Sequence, residues 1–310
     1  MFSIVFPGQG SQIPGMSKEL YLKYDLVKKI YKQADEILEF PISNLILDGP
    51  KEKLNLTENT QPSIFLVSYA IFQVATKEFN HNLLNANFFA GHSLGEYSAL
   101  ACSEAISFPD TLKLLKIRGR AMQNALGEGE GGMVAVLGSD LDKINEILMS
   151  SNKNYACYIA NDNSNHQIVV SGLIKDLEMF TDELNKNKIK NIKLQVSAPF
   201  HCSLMKYASG VICEEIKHIE INDPKNNIIS NVTASLIEDK SHIKDLLIQQ
   251  IENKVRWRES INYMITRGTK KFIEIGPGKV LSNLIKRIDK NMITQSINND
   301  DEIRNLNLND

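Results

Sequence analysis

Gly91-His92-Ser93-Leu94-Gly95 has the spacing Gly-x-Ser-x-Gly. Such a run suits a sharp strand-to-helix turn, where glycines let backbone segments approach closely and the serine hydroxyl stands exposed at a helix N-terminus. The helix dipole there favours developing negative charge, and the N–H of Leu94 is a candidate oxyanion donor. Inert serine–glycine turns share the five-residue pattern. Here the strand-like residues before it and helical residues after it favour the catalytic reading.

A serine hydroxyl attacks only when a base takes its proton. Of the six histidines, His81, His166, His218 and His242 lie in polar or helical surroundings and read as surface residues, and His92 sits inside the turn. His201, in Ala198-Pro199-Phe200-His201, remains as the candidate base, with a hydrogen-bonded loop histidine as the competing account. An α/β hydrolase places an acid between serine and histidine in chain order. Asp140, Asp142, Asp162, Asp176 and Asp182 all fall in a segment that reads as a separate unit, which favours a serine–histidine dyad oriented by something other than a carboxylate. Arg118 follows Leu114, Leu115 and Ile117 and precedes Met122 on a largely apolar helix. A buried guanidinium there would need an anion; an arginine snorkelling at the helix surface is the alternative.

The elements that would position these residues alternate as in an α/β protein. Residues 2–6 read as a buried strand, 20–38 as one long amphipathic helix, and 62–79 as an apolar helix opened by Pro62. A strand over 87–91 runs through the turn into a helix over 95–106, and another helix spans 110–126. The glycine-rich run 127–132 marks a boundary. Beyond it the order is strand 133–137, helix 140–151, strands 155–160 and 167–171, helix 173–188 and strand 192–196. That βαββαβ order is the ferredoxin-like unit. The α/β alternation resumes after Pro199 with a helix over 204–219, a strand over 228–232, helices over 243–251 and 257–267, and a strand over 272–275. The expected domains are therefore 1–126 plus 199–297, interrupted by 127–198, with 298–310 as a frayed tail.

The 310 residues are 43% hydrophobic with a formal net charge of -2, so no global basic field attracts nucleic acid. No signal peptide and no membrane-length apolar stretch is visible, and the four cysteines are scattered without paired spacing, so a reducing cytoplasm is the expected location. Gly278-Lys279-Val280 lacks the hydroxyl residue of a phosphate loop, Gly127-x-Gly129-x-x-Gly132 precedes a strand where a dinucleotide site would open a helix, and no HExxH motif occurs. Neither cofactor nor metal is expected.

Four motifs occur in order: Phe6-Pro-Gly-Gln-Gly-Ser-Gln12, Gly91-His-Ser-Leu-Gly-Glu96, Ala198-Pro-Phe-His201 and Ile275-Gly-Pro-Gly-Lys-Val-Leu281. Together, across about residues 2–297, they resemble the malonyl-CoA:acyl-carrier-protein transacylases of bacterial fatty-acid synthesis. The resemblance implies an α/β-hydrolase-like large domain carrying the inserted ferredoxin-like domain. It implies malonyl transfer from malonyl-CoA, a substrate rather than a cofactor, through a malonyl-Ser93 intermediate to the phosphopantetheine thiol of acyl-carrier protein. A serine esterase or thioesterase of the α/β-hydrolase type is the alternative function. By the same resemblance His201 is the base, the N–H groups of Gln9 and Leu94 form the oxyanion hole, Arg118 binds the substrate carboxylate, and the main-chain carbonyl of Gln250 orients the histidine. His92, Phe200, Asn231 and Met122 are candidate lining residues. Cys202, where the family usually has serine, is a candidate oxidation-sensitive neighbour, and Lys254 stands where proline is common. Lys254, Arg256, Arg258, Lys286 and Arg287 are candidates for contacting an acidic carrier protein, solvated helix faces being the other reading.

Overall fold

The computed structural model describes residues 1–150, 156–196 and 198–308. The expected helix end at Ser151, the expected strand start at Tyr155, Ser197, and the last two residues of the expected tail lie outside the described residues.

The first stretch holds β1 (Phe2–Phe6), α1 (Lys18–Lys23), α2 (Asp25–Leu38), α3 (Ile42–Asp48), α4 (Lys51–Leu54), α5 (Thr57–Lys77), β2 (Phe88–Gly91), α6 (Leu94–Cys102) and α7 (Phe108–Gln123). Next come β3 (Gly131–Leu137), α8 (Leu141–Ser150), β4 (Cys157–Ser164), β5 (Gln167–Leu173), α9 (Ile174–Lys186) and β6 (Lys190–Lys193). The last stretch holds α10 (Lys206–Ile216), β7 (Asn227–Ile229), α11 (Ile243–Glu252), α12 (Trp257–Thr266), β8 (Lys271–Ile275), α13 (Val280–Ile288), β9 (Ile293–Ile297) and α14 (Asp300–Arg304).

Two sheets result. The larger is parallel throughout, in the order β7-β2-β1-β8-β9. A parallel sheet is covered on both faces, which demands strands apolar on both sides. Central β1 meets this demand: all of Phe2–Phe6 is buried, with Ile4 and Phe6 in one core cluster and Val5 in another across the sheet. The smaller sheet is antiparallel, in the order β4-β5-β3-β6, with α8 and α9 on one face. Period-two alternation divides β3 between two environments. Val134 and Val136 pack with Ile144, Ile168, Val170 and Phe180 on the helix-covered side, while Met133 and Ala135 face an open cleft.

Backbone and charge join the sheets. Val255 donates its N–H to the Ala160 carbonyl at 2.8 Å and accepts from the Asp162 N–H at 3.0 Å. Arg258 grips buried Asp162 with Nε and Nη2.

Several expectations need correction. The long helix over 20–38 is two helices, broken at Tyr24 (φ −113°, ψ 121°), whose hydroxyl donates to Asp300. Pro62 does not open its helix. α5 begins at Thr57, and the proline occupies its sixth position, past the first turn, so the helix goes without the bond that residue 62 would donate to the Glu58 carbonyl. β6 ends at Lys193, after which Leu194, Gln195 and Val196 turn to line the cleft. The expected frayed tail is structured through 308. β9 is followed by α14, Ile303 and Leu306 are buried, and Asp300 accepts from Lys23, Tyr24 and Arg304. Asparagine and aspartate dominate the composition there, which hid two apolar anchors at the spacing 303 and 306.

Candidate active site

A cleft of about 510 Å³ opens between the two sheets. Its floor is the turn between β2 and α6. The two glycines there answer to sterics: a Cβ on Gly91 would lie 1.8 Å from the carbonyl carbon of Gly95, and one on Gly95 would lie 2.2 Å from the Phe6 carbonyl oxygen. Only bare backbone lets α6 press against the end of β1, and that contact brings the 8–12 loop beside the serine. Ser93 holds φ 54° and ψ −110°, a strained conformation for a residue with a side chain.

Asn231 pins this turn from behind. Its Oδ1 accepts from the Ser93 N–H at 2.8 Å and its Nδ2 donates to the Gly91 carbonyl at 2.7 Å. It was expected to line the site, but it is buried behind the turn, away from the cleft wall formed by the described residues.

Ser93 Oγ and His201 Nε2 are 2.8 Å apart. The other ring nitrogen, Nδ1, lies 2.8 Å from the main-chain carbonyl of Gln250. A carbonyl only accepts, so Nδ1 carries the hydrogen and Nε2 is left with a lone pair facing the serine. His201 is buried, and burial together with the nearby Arg118 charge pushes its pKa down to about 3. The imidazole is thus neutral at neutral pH, as a proton acceptor must be.

Arg118 is fully buried. It is not part of the cleft wall and meets the cleft through Ser93, its Nη2 donating to Ser93 Oγ at 3.1 Å. The same nitrogen donates to Gln250 Oε1 at 2.8 Å, and Nη1 donates to Gln61 Oε1 at 2.6 Å. Every one of these acceptors is a neutral oxygen. Among the described residues no carboxylate pairs with the guanidinium, and its buried Nε has no acceptor. Tyr97 offers its ring face 5.2 Å away. A buried cation without a directly bound anion is costly, and this one is aimed at the serine.

The backbone puts it there. A Cβ on Gly119 would lie 2.5 Å from the Thr57 carbonyl oxygen, so α7 can lie against the start of α5 only because that residue is glycine. The close approach sets Arg118 against Gln61.

Gln9, Leu94, His92, Met122 and Phe200 all line the cleft with Ser93 and His201. His92 turns away from the serine, its Nε2 2.8 Å from Asn163 Oδ1 and its ring against Trp257. Cys202 is buried, its thiol donates to the Pro199 carbonyl at 3.0 Å, and burial pushes its pKa up to about 11. A buried, protonated thiol is a poorer target for oxidants than an exposed thiolate, which argues against the expected sensitivity.

Sequence reasoning missed Gln61, Glu96 and the side chain of Gln250. Glu96 is wholly buried, with Oε2 accepting from Gln250 Nε2 at 2.6 Å and from the Asn231 N–H at 3.1 Å. Burial raises its carboxyl to about 7, against the opposing pull of those donors and of Arg118. The available signal was a charged residue in the first turn of an otherwise apolar helix.

Among the described residues no cluster of three or more His, Cys, Asp or Glu could hold a metal, and no helix is long and apolar enough to cross a membrane.

Residues 3–299 match the model of the acyl transferase domain family. The chain is 40% identical over 303 residues to the malonyl CoA-acyl carrier protein transacylase of Bacillus subtilis, covering 97% of this chain and 94% of that protein. It superposes on the acyl-carrier-protein S-malonyltransferase of Bartonella henselae with a TM-score of 0.94 at 38% identity, covering 97% and 96% of the two chains. It also superposes, with a TM-score of 0.93 at 34% identity and 97% coverage of each chain, on a malonyl-transacylase in complex with its type II polyketide synthase acyl-carrier protein.

Proposed function

Because the chain belongs to the acyl transferase domain family, we propose that it moves a malonyl group from malonyl-CoA to the phosphopantetheine thiol of acyl-carrier protein for fatty-acid synthesis. The observation that carries the reading is Arg118, a buried guanidinium with no carboxylate partner, in hydrogen-bond contact with Ser93 Oγ.

In the first half-reaction His201 Nε2 takes the proton of Ser93 Oγ, and the oxygen attacks the thioester carbonyl of malonyl-CoA. The N–H groups of Gln9 and Leu94 stabilise the oxyanion, a contribution typically of about 10² to 10³ in rate per donor. Coenzyme A leaves as its thiol, taking the proton back from His201. In the second half-reaction the carrier's thiol gives its proton to His201 and attacks malonyl-Ser93, and the ester bond breaks as His201 returns that proton to Ser93 Oγ. Thioester is exchanged for thioester, so the transfer needs no energy source.

Arg118 holds the free carboxylate of the malonyl group. Lys51 and several side-chain amides line the cleft, and no acidic residue does so among the described residues, which suits an anionic, amide-bearing substrate. The Gln250 carbonyl does what an aspartate does in a triad, orienting the imidazole. We read residues 1–126 with 199–308 as an α/β-hydrolase-like catalytic domain and 127–198 as an inserted ferredoxin-like domain. The strand orders and the antiparallel βαββαβ arrangement support that reading. A cytoplasmic location fits it, and no cofactor is assigned.

A serine esterase would share the turn and the dyad but has no use for a guanidinium beside the acyl chain. Incubation with malonyl-CoA followed by intact-mass measurement separates the two. The transferase accumulates a malonyl adduct that is lost in Ser93→Ala and discharged by holo-acyl-carrier protein. Hydrolysis with no adduct would instead mark an esterase.

A further inference from the structure

Gln250 sits between two groups of opposite hydrogen-bonding character. A carboxylate has only acceptors and a guanidinium only donors, so a glutamine side chain bridging them has one favourable orientation. Its NH₂ must face the carboxylate and its oxygen the guanidinium. That is the observed arrangement: Gln250 Nε2 donates to Glu96 Oε2 at 2.6 Å and to the Ser93 carbonyl at 3.1 Å, while Gln250 Oε1 accepts from Arg118 Nη2 at 2.8 Å. The same residue gives its main-chain carbonyl to His201 Nδ1.

We infer that Glu96 is a positioning residue of the malonyl site, acting through the side chain of Gln250 to hold Arg118 where it meets the substrate carboxylate. The inference rests on the transferase reading of Ser93, His201 and Arg118.

Three features make Glu96 more than a buried polar residue of the fold. It touches neither the cleft nor Arg118 directly; its hydrogen bonds run to Asn231, behind the Ser93 turn, and to Gln250, the one of the two that also bonds Arg118. It stands in the first turn of α6, where the helix dipole favours the ionised form. Its second oxygen, Oε1, is buried without a partner. A carboxylate with half its acceptor capacity unused is a costly way to fill space, since glutamine would fit the same volume. The carboxyl group differs from glutamine in two respects that bear on the site: ionised, it carries a charge that Arg118 feels, and in either protonation state its Oε2 accepts from Gln250, a proton when present sitting on the unpartnered Oε1. With glutamine at 96 the facing amide could turn over, and its NH₂ would then oppose the donors of Arg118.

Glu96→Gln, nearly isosteric, tests the inference against malonyl-CoA and acetyl-CoA, with chemical denaturation to confirm folding. The expected result is a loss of tenfold or more in kcat/KM for malonyl-CoA, mainly through KM, and a change below about threefold for acetyl-CoA. Adding Glu96→Gln to Gln250→Met, which keeps the carbonyl serving His201 but removes the amide, should cost less than about twofold further. Equal losses on both thioesters, or multiplicative losses in the double variant, would overturn the inference.

Glu96→Asp retains the acceptor-only character and gives a reading even where Glu96→Gln does not fold. It should keep the malonyl preference within about threefold of the wild type, and a folded Glu96→Asp without that preference also overturns the inference. The wild-type control separates the two levels. If the wild type forms no malonyl-Ser93 adduct, the transferase reading itself has failed; if the adduct forms and the variants behave as a structural residue would, only the role of Glu96 has.

Discussion

Arg118 is the residue on which, in the proposed reading, selectivity turns. It has neutral glutamine oxygens on two sides and a serine before it, so a malonyl carboxylate would complete its shell while an acetyl group would leave the cation unpaired. Two charge-assisted hydrogen bonds at about 1.5 to 3 kcal/mol each correspond to roughly 10² to 10⁴ in preference. Arg118→Ala should lose that much in malonyl-CoA turnover and gain relatively with acetyl-CoA; equal losses, measured by competing the two thioesters, would make the residue structural. His201 yields a prediction in pH. Burial first, and the Arg118 charge second, depress its pKa from 6.5 to about 3. Malonylation of Ser93, followed by quenched-flow mass measurement, should therefore show no acid limb near pH 6.5, and Arg118→Ala should move the limb upward. The unfolded histidine binds a proton below about 6.5 and the folded one does not, so this group's contribution to stability is intact above pH 6.5 and declines as pH falls toward 3. Spacing and elimination made Ser93 and His201 candidates, with a loop histidine still open as the other account of His201, and the family resemblance gave them roles; Glu96 and Gln61 were out of reach, because their roles depend on which helices meet.

Helix contact decides how the arginine is held. α7 lies against the start of α5 through Gly119, so Gly119→Ala should cost about 1 to 3 kcal/mol in urea denaturation and weaken malonyl selectivity as Gln61 and Arg118 separate. Were the added methyl accommodated without either effect, the close approach would not be what sets Arg118. Local pattern reached the type of most elements: apolar runs such as Phe2–Phe6 and Met133 to Leu137 read as strands in both sheets. Boundaries slipped where tertiary bonds overrode local preference, as at Tyr24, which leaves the helix to reach Asp300.

At the scale of the molecule, the cleft exists because two sheets are held apart and yet joined. Arg258 and Asp162 carry that junction, along with the backbone pairing at Val255. Arg256 is likewise engaged, with Glu259, which leaves Lys286 and Arg287 of α13 as the carrier-facing candidates without an acidic partner among the described residues. Asp162→Asn should cost about 1.5 to 3 kcal/mol in stability and raise KM for malonyl-CoA, because the two walls lose their register. A fall in stability with unchanged KM would show that the junction does not shape the cleft. Deleting residues 299–310 removes the buried Ile303 and Leu306, each worth about 1.5 to 3 kcal/mol, so a lowered melting temperature is expected where a frayed tail would leave it unchanged.

Sequence by itself determined the chemistry's alphabet and the order of most elements: a serine in a glycine-bounded turn, a histidine after a βαββαβ stretch, and an arginine on an apolar helix. These were readable because turn sterics and hydrophobic periodicity act over a few residues. Tertiary structure alone decided which groups share hydrogen bonds. Glu96, Gln250, Arg118, Gln61 and Asn231 are scattered from 61 to 250 in the chain, and none has a local pattern that names its partner. Their network follows from two backbone approaches, α6 on β1 and α7 on α5. Such approaches are set by the packing of the whole core, and the burial they produce is what keeps Arg118 out of water and the imidazole of His201 uncharged.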